Sequence, residues 1–496
     1  MLPQKERQDI EFIAPMTKEF DAFADDEENY KEVIRSLDND ELYIEEYDVI
    51  NVKMPQLVSG NVKAEVGEDF YKNVADKINH KFSQAAENQK EMKKDKDLVE
   101  DDSKEQHLPE VVIKEIKKSD QSLESIRVLL GEDTRTKKKI YWEYGHPKLE
   151  NRHILISGKS GVGKTYFMQC LLLELANNNI SSLIFDYTDG FKKSKLEPEF
   201  KDSLGDRINQ FQVQKEGFPV NPFKKNMKEI DEDDFMEESD IDVAERIRSV
   251  FSAVYPGMGD QQANAIYRAT FNGLKKYGSK MSLQYLKTEL ENDNSGNAKT
   301  VLSKIEPLID RNPFDIEKEY DWEEHRTKDG IVFVVQLSGF VREVQLIVTE
   351  FILWDLWNFN ISHGDKSKPF PVILDEAQNL DHSEKSPSAK ILTEGRKFGW
   401  SGWYATQFMQ GQMAKDEIRR LQNAGQKVYF SPPESEINDM ASFLSTDTSE
   451  RKEWANKLSR IGKGQCIVSG PMLKENGELQ YGRPAIIDVT SLKERI

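Results

Sequence analysis

The segment GKSGVGKT, residues 158–165, constrains this chain more than any other feature, because it fits the pattern GxxxxGK[ST] at every fixed position. The apolar run HILISG (153–158) leads into it and has the character of a buried strand. An apolar helix, FMQCLLLELA (167–176), and a second strand, SSLIFD (181–186), follow. Strand, helix and strand at this spacing predict a βαβ unit in a parallel sheet, and therefore an α/β fold.

The glycines of this segment have a physical purpose. They allow successive backbone N–H groups to turn inward and hold phosphate oxygens, and the positive end of the following helix adds to the attraction. Lys164 is expected to reach the β- and γ-phosphates of ATP, and the Thr165 hydroxyl is expected to bind Mg²⁺. The predicted nucleotide-binding residues are Gly158, Lys159, Ser160, Gly161, Val162, Gly163, Lys164, Thr165 and Tyr166.

A second chemical signal is PVILDEAQNL (371–380), an apolar run that ends in two adjacent acids. A strand of this kind places Asp375 at the carboxyl edge of the sheet, where it can hold the water shell of the metal. Glu376, the next residue, can orient and polarise the attacking water. Taken alone the pattern is typical of a surface strand end. Its position about 200 residues after the phosphate-binding segment 158–165, the P-loop, favours a catalytic pair.

A third buried strand, GWYATQ (402–407), ends in the polar residues Thr406 and Gln407. Polar groups at the end of a neighbouring strand can contact the γ-phosphate or the water, so Gln407 is a predicted catalytic residue. EGRKFG (394–399) comes just before this strand. Arg396 within it is either a surface charge or a guanidinium that stabilises the phosphoryl group in the site of a neighbouring subunit.

The remaining patterns predict one α/β domain at about 151–490, with a helical insertion at about 245–310. The acidic run DEDDFMEESDID (231–242) before the insertion is predicted to be a solvated loop. Further strands are indicated at IVFVVQLSG (331–339), QKVYFS (426–431) and QCIVSG (465–470).

The amino-terminal part differs in character. Residues 1–107 form an acidic, charge-rich region that ends in a linker, with one amphipathic helix predicted at 68–92. Residues 108–150 are predicted to be a small β lead-in. The chain carries a net charge of −19, and its first 150 residues account for −12 of this, with 24 Lys and Arg against 36 Asp and Glu. Such a field repels a phosphate backbone, so any contact with DNA has to be local.

Other classes are excluded or disfavoured by what the sequence lacks. Two cysteines, Cys170 and Cys466, exclude a disulfide scaffold and a four-cysteine zinc site. The first residues have no apolar core of a signal peptide, and no run of about 18 apolar residues occurs, so a soluble, cytoplasmic protein is expected. The missing NKxD motif argues against a GTPase, and the missing QRxGR-type motif argues against a two-lobed helicase.

Six segments together resemble the HerA/FtsK superfamily in their order and spacing. The resemblance covers roughly residues 125–490, and the lead-in IRVLLGEDTRTKKKIYWEY is similar to the carboxyl-terminal ATPase part of DptH-type proteins of phosphorothioate-linked DNA restriction. The six segments are GKSGVGKT, LIFDYTDGF (183–191), PVNPF (219–223), VILDEAQNL, EGRKFGWSGWYATQ and LSRIGKGQCIVSG (458–470).

The resemblance implies a RecA-like fold, a hexameric ring, and ATP-driven movement along double-stranded DNA. It also implies that Arg396 is the arginine finger or sensor, and that Asp186 occupies the acidic position after the first helix. The sequence departs from the family at Phe408-Met409, where Arg-Pro is usual. The acidic amino-terminal region does not resemble the small β-barrel found ahead of HerA-type ATPases.

Two functional hypotheses follow. The first is a ring motor that translocates duplex DNA for a nuclease or other effector in a restriction or defence system, with no membrane partner. The second is an ATP-controlled assembly platform that organises an effector enzyme and moves little DNA. The acidic charge favours the platform slightly, whereas the complete set of catalytic motifs favours the motor. A small-molecule kinase is disfavoured because no substrate-binding lid is evident.

Overall fold

The computed structural model describes residues 122–231, 234–255, 257–384, 386–409, 413–474 and 477–496. The predicted amphipathic helix at 68–92, and the whole acidic region to which it belongs, lie outside these described residues. Residues 108–121 of the predicted β lead-in lie outside them as well.

Eleven strands of the described residues form one sheet in the order β2-β1-β15-β12-β11-β3-β10-β9-β4-β8-β5. Neighbours from β11 to β5 run parallel, and those from β11 to β2 run antiparallel. The predicted α/β class with a mainly parallel sheet is therefore confirmed. The strands are β1 Val128–Asp133, β2 Lys139–Trp142, β3 Ile154–Ser157, β4 Ser182–Asp186, β5 Ile208–Gln212, β6 Met227–Asp231, β7 Asp234–Glu237, β8 Val332–Gln336, β9 Phe370–Leu374, β10 Trp400–Thr406, β11 Gln426–Tyr429, β12 Gln465–Ser469, β13 Pro471–Leu473, β14 Leu479–Tyr481 and β15 Ala485–Asp488.

Helices connect the parallel strands and build the insertion between β5 and β8. No helix in the described ranges is long and apolar enough to cross a membrane. The helices are α1 Lys164–Asn177, α2 Pro198–Leu204, α3 Val213–Glu216, α4 Asp240–Val254, α5 Asp260–Tyr277, α6 Leu283–Asn292, α7 Gly296–Arg311, α8 Trp322–Thr327, α9 Arg342–His363, α10 Pro387–Glu394, α11 Lys415–Leu421, α12 Ile437–Leu444 and α13 Thr448–Leu458.

The parallel strands are covered on both faces. Ile154 and Ile156 of β3 belong to the apolar cluster around α1, whereas Leu155 between them belongs to the cluster that contains the insertion helices and α9. Because successive side chains of a strand point to opposite faces, a strand that is buried on both faces reads as a continuous apolar run. This is why the central strands were visible in the sequence.

The acidic segment 231–242 was predicted to be a solvated loop, and this prediction is wrong. The segment contributes to the two-stranded hairpin β6–β7 and to the first turn of α4. Ser239 caps α4 with its hydroxyl, and the carboxylate of Asp242 accepts the Ser239 N–H at 2.8 Å. Glu238 is buried and forms an ion pair with Arg246 at 2.9 Å. The acids therefore serve as a helix cap and as a buried ion-pair partner.

The carboxyl-terminal segment is fastened to α1 by one buried arginine. The side chain of Arg495 has no exposed surface, and it pairs with Glu174 of α1. It also donates to the carbonyl oxygens of Leu129 at 2.5 Å and Thr490 at 3.0 Å. Glu174 in turn accepts the backbone N–H of Leu129 at 2.8 Å. This network ties β1, α1 and the end of the chain together.

Removing this guanidinium should destabilise the fold. Arg495→Ala leaves the largely buried carboxylate of Glu174 without its cation, and removal of one partner of a buried ion pair costs about 3–5 kcal/mol. We expect the free energy of unfolding from urea titration to fall by about that amount. Lys493→Ala is the matched control, because its ion pair with Glu199 joins an ammonium that is 79 % exposed. An equally small effect of both substitutions would contradict the assigned role of Arg495.

Candidate active site

The predicted site residues, apart from Arg396, lie at the carboxyl edge of the parallel part of the sheet. β10 lies between β3 and β9, with Thr406 paired with Ser157 on one side and Tyr404 paired with Leu374 on the other. The loops that follow these three strands therefore start side by side. This edge is where open α/β sheets bind ligands.

The P-loop turns sharply into α1. Gly161 and Gly163 adopt positive φ values of 78° and 107°, which side chains with a Cβ rarely tolerate, and the helix begins at Lys164. The ammonium of Lys164 donates to the carbonyl oxygens of Gly158 at 2.5 Å and Lys159 at 3.2 Å. Burial lowers the pKa of this amine, and the two carboxylates that follow β9 act against that change. The lysine is thus held between its own loop and the acidic pair.

Asp375 and Glu376 follow directly after β9. Asp375 is 7 % exposed, and burial, together with the charge of Glu376, raises its pKa to about 6. The N–H of Glu376 donates to Oδ1 of Asp375 at 3.0 Å, and this bond and the charge of Lys164 oppose the rise in pKa. Glu376 itself has a φ of 54°, an uncommon backbone conformation for a residue with a side chain. Such conformations cluster at functional sites.

Two side-chain amides hold the carboxylate of Glu376. Gln378 donates from Nε2 to Oε2 of Glu376 at 2.6 Å, and Gln407 donates from its own Nε2 to Oε1. The backbone N–H of Gln407 also donates to Oε1 of Gln378 at 3.3 Å, so hydrogen bonds join all three residues to one another. Gln378 was not predicted from the sequence, where its only signal was a polar side chain two positions after the second acid.

Asp186 organises the loop after β4. Burial raises the pKa of Asp186, and the hydrogen bonds that it accepts act in the other direction. These hydrogen bonds therefore stabilise the charged carboxylate in its buried position. A Cβ built on Gly190 in this loop would lie 3.6 Å from Cγ2 of Thr165, so the loop borders the predicted metal ligand. Asp186 accepts hydrogen bonds from the N–H groups of Thr188 at 3.2 Å, Gly190 at 3.0 Å and Phe191 at 2.9 Å, and from the side chain of Gln336 at 3.0 Å.

Tyr166, the last of the predicted nucleotide-binding residues, turns its hydroxyl towards the end of the chain. This oxygen accepts a hydrogen bond from the N–H of Leu492 at 2.9 Å. Tyr166 therefore connects the first turn of α1 to the segment that Arg495 fastens. A contact between Tyr166 and a nucleotide stays a prediction.

Arg396 lies away from the other site residues. It is exposed on a single 3-10 turn, Gly395–Phe398, which precedes β10, whereas Gln407 follows the same strand. The seven residues of β10 span about 20 Å at roughly 3.3 Å per residue. Arg396 is instead near Arg152, which precedes β3, and its charge adds to the burial that lowers the pKa of Arg152. The two arginines therefore occupy the amino edge of the sheet, opposite their own P-loop.

Residues 134–356 match the family model described as the central domain of the helicase HerA. This range includes the P-loop, α1 and the insertion, and it ends before Asp375. The HerA part of the predicted resemblance is thereby confirmed for this range. The closer similarity to DptH-type proteins stays a prediction. Among curated proteins, none matches this sequence.

Two solved structures are similar to this chain. VirB4 of Thermoanaerobacter pseudethanolicus superposes with a TM-score of 0.55 at 16 % identity, covering 74 % of this chain and 97 % of that chain. The plasmid coupling protein TrwB in complex with ADP and Mg²⁺ gives a TM-score of 0.46 at 16 % identity, covering 74 % and 95 %. At these identities the VirB4 likeness establishes the fold alone.

The buried carboxyl of Asp375 should cost the protein stability. Burial and the charge of Glu376 raise its pKa from the ordinary value of 3.8 to about 6, so the folded state retains the proton over that range and stability falls as the pH rises from about 4 to about 6. Asp375→Asn should therefore stabilise the nucleotide-free protein at pH 7, by an amount on the order of 2 kcal/mol.

Urea denaturation of the parent and of Asp375→Asn at pH 7 and at pH 4 measures this difference. The gain in stability should disappear at pH 4, because Asp375 of the parent is then protonated to a more similar extent in the folded and the unfolded state. Asp416→Asn, which changes an exposed carboxylate, is the control and should have no such pH-dependent effect. A loss of stability on Asp375→Asn at pH 7 would contradict the prediction.

Proposed function

We propose that this chain is an ATP-hydrolysing motor that works as a ring on double-stranded DNA. One observation carries the proposal: the P-loop, the acidic pair and Gln407 lie together at one edge of the sheet, with Glu376 held by two amides. The match to the HerA central domain supports the same class of ATPase.

The residues at this edge fit ATP and Mg²⁺. The turned-in N–H groups of the P-loop and the ammonium of Lys164 suit phosphate oxygens. The Thr165 hydroxyl and the Asp375 carboxylate are the oxygen ligands that Mg²⁺ prefers. No group of three or more His, Cys, Asp and Glu residues in the described ranges could hold a metal alone, so the nucleotide phosphates would complete the coordination. The ion would neutralise charge that develops on the phosphates.

Glu376 is the proposed general base. Its two oxygens accept hydrogen bonds from amides, which orient the carboxylate, and amides cannot take up the proton of the attacking water. Gln407 can exchange its bond to Glu376 for a bond to the γ-phosphate or the water. We propose that this exchange lets Gln407 report whether ATP or ADP is bound.

Arg396 is the proposed arginine finger of a neighbouring subunit. Its place at the amino edge, about one strand length from its own P-loop, supports action in another subunit rather than in its own. Arg152 beside it strengthens the positive charge there. An oligomer is therefore required for activity, and a hexamer is the form that the resemblance implies.

The DNA substrate, a nuclease or other effector partner, and a role in restriction or defence belong to the proposal by resemblance. The platform hypothesis remains the second candidate, and the net charge of −19 favours it. The two differ in one measurable property. ATP turnover that rises when duplex DNA is added supports the motor, whereas turnover that ignores DNA, in a ring that binds an effector tightly, supports the platform.

Removing the charge of Glu376 should separate binding from hydrolysis. Glu376→Gln should keep nucleotide binding while turnover falls by about 10²-fold or more, within the range of general-base catalysis. Lys164→Ala should abolish turnover by removing the ammonium over the phosphates. Glu384→Gln, an exposed acid eight residues later, is the control and should behave like the parent. Loss of nucleotide binding in Glu376→Gln would make Glu376 a structural residue.

The action of Arg396 in a neighbouring site can be tested by mixing subunits. Arg396→Ala and Lys164→Ala should each be inactive alone, but a mixed ring contains interfaces with an intact P-loop on one side and an intact arginine on the other. ATP turnover should therefore recover in part. Lys397→Ala, which changes the adjacent exposed cation, should remain active. An absence of recovery, with mixed rings verified by mass, would refute the proposed finger.

A further inference from the structure

His382 lies completely buried behind the acidic pair, and both of its ring nitrogens are engaged. Nε2 lies 2.6 Å from the carbonyl oxygen of Ala377, and Nδ1 lies 2.6 Å from Oγ of Ser388. Ala377 follows Glu376 directly and begins the turn Ala377–Asn379. Ser388 belongs to the first turn of α10. The imidazole thus joins two elements that serve different parts of the proposed mechanism.

The chemistry of the two partners assigns the protons. A carbonyl oxygen can only accept, so Nε2 carries a hydrogen and donates it to Ala377. Burial lowers the pKa of His382, which favours the neutral ring. Nδ1 of a neutral ring with a protonated Nε2 is an acceptor, and the Ser388 hydroxyl donates to it. The ring therefore receives a hydrogen bond from α10 and gives one to the catalytic turn.

The surroundings of the ring are fixed from several sides. The N–H of His382 donates to Glu417 at 3.3 Å, and Arg420 donates to the His382 carbonyl oxygen at 2.9 Å, so α11 holds the backbone. Tyr404 of β10 donates from its hydroxyl to the carbonyl oxygen of Ser388 at 3.1 Å. A movement of the turn or of α10 must therefore be transmitted through the imidazole or break one of its bonds.

The two ends of this connection lead to different active sites. The turn at Ala377 carries Glu376, the proposed base of the subunit's own site. Helix α10 ends at Glu394 and continues directly into the 3-10 turn that carries Arg396, the proposed finger for the neighbour. His382 touches neither ATP nor the reacting atoms, so any effect it has on turnover is exerted through these two elements.

We propose that His382 is a positioning residue that couples the turn that follows Glu376 to the helix that precedes Arg396. The inference rests on the proposed function, because it uses the roles given there to both residues. Through Nε2 the ring holds the base in place, and through Nδ1 it holds α10 at the angle that presents the arginine. Displacements of about 1 Å at a catalytic group can lower rates by about 10²-fold, so such a connection matters for turnover.

Three substitutions separate the two halves of the connection. His382→Leu removes both hydrogen bonds. His382→Gln keeps a donor near the place of Nε2, and His382→Asn keeps an acceptor near the place of Nδ1. For the subunit's own site we expect kcat to fall about tenfold or more in His382→Leu with nucleotide Kd unchanged. His382→Gln should lose much less turnover than either of the other two.

The second half is measured in mixed rings. Lys164→Ala subunits supply Arg396 to Arg396→Ala subunits, and the recovered turnover is the reference. Lys164→Ala subunits that also carry His382→Leu or His382→Gln should restore a turnover about threefold or more below the reference. Lys164→Ala subunits that carry His382→Asn should restore the reference turnover. This order reverses the order expected for the subunit's own site, which a general loss of packing cannot produce.

His325→Leu is the matched control. This histidine is also buried and its Nδ1 lies 3.0 Å from the Tyr320 hydroxyl, but it belongs to α8 and its ring packs against Phe333 and Phe370. It should shift the melting temperature as His382→Leu does. It should leave unchanged both kcat and the turnover that Lys164→Ala subunits restore in mixed rings. Kinetic losses in His325→Leu equal to those in His382→Leu would overturn the proposal.

The remaining outcomes are distinguishable. If the reference mixture recovers turnover and all His382 donors recover it equally, the link to Arg396 is refuted while the proposed finger stands. If the reference mixture recovers nothing, the proposed finger fails, and the coupling of His382 to a neighbouring site fails with it. If kcat is unchanged in His382→Leu, the hold on Glu376 is refuted whatever the mixtures show.

Discussion

The parallel pairing of β10 between β3 and β9 is the constraint on which the candidate site depends. It fixes where three separate stretches of the chain end, so that the P-loop, the acidic pair and Gln407 emerge next to one another. Once the strands end together, short side chains suffice to link them. The bond from Gln407 to Glu376 spans 31 positions of sequence but only the space between neighbouring strands.

The site also shows a tension between function and stability. Asp375 is buried where its charge is unfavourable, and Glu376 adopts a backbone conformation that most residues avoid. The surrounding structure compensates for both, since Lys164 faces the acids and two amides satisfy the oxygens of Glu376. A bound cation and phosphates would relieve the first of these strains, so the nucleotide is expected to add to the stability of the fold.

Local patterns account for what the sequence predicted. The P-loop and the central strands could be predicted because glycine spacing and continuous apolar runs are local signals. β5, with the sequence INQFQ, was not predicted, because an edge strand with polar residues is defined only by its pairing with β8. Gln378 and His382 were not predicted, because their roles depend on hydrogen-bond partners that only the fold brings next to them. The sequence left two interpretations of Arg396 open, a surface charge or an arginine for a neighbouring site, and its exposed position at the amino edge is compatible with both.

The position of β10 determines how one defective subunit would affect an assembly that also contains normal subunits. The strand is followed by Gln407 of the subunit's own site and begins shortly after Arg396, so each chain of the proposed ring would contribute residues to two sites. If Arg396 acts in this way, a single chain with both ends damaged silences two sites of a ring. Co-expressed defective copies would then suppress normal ones out of proportion to their number, as a dominant-negative allele does.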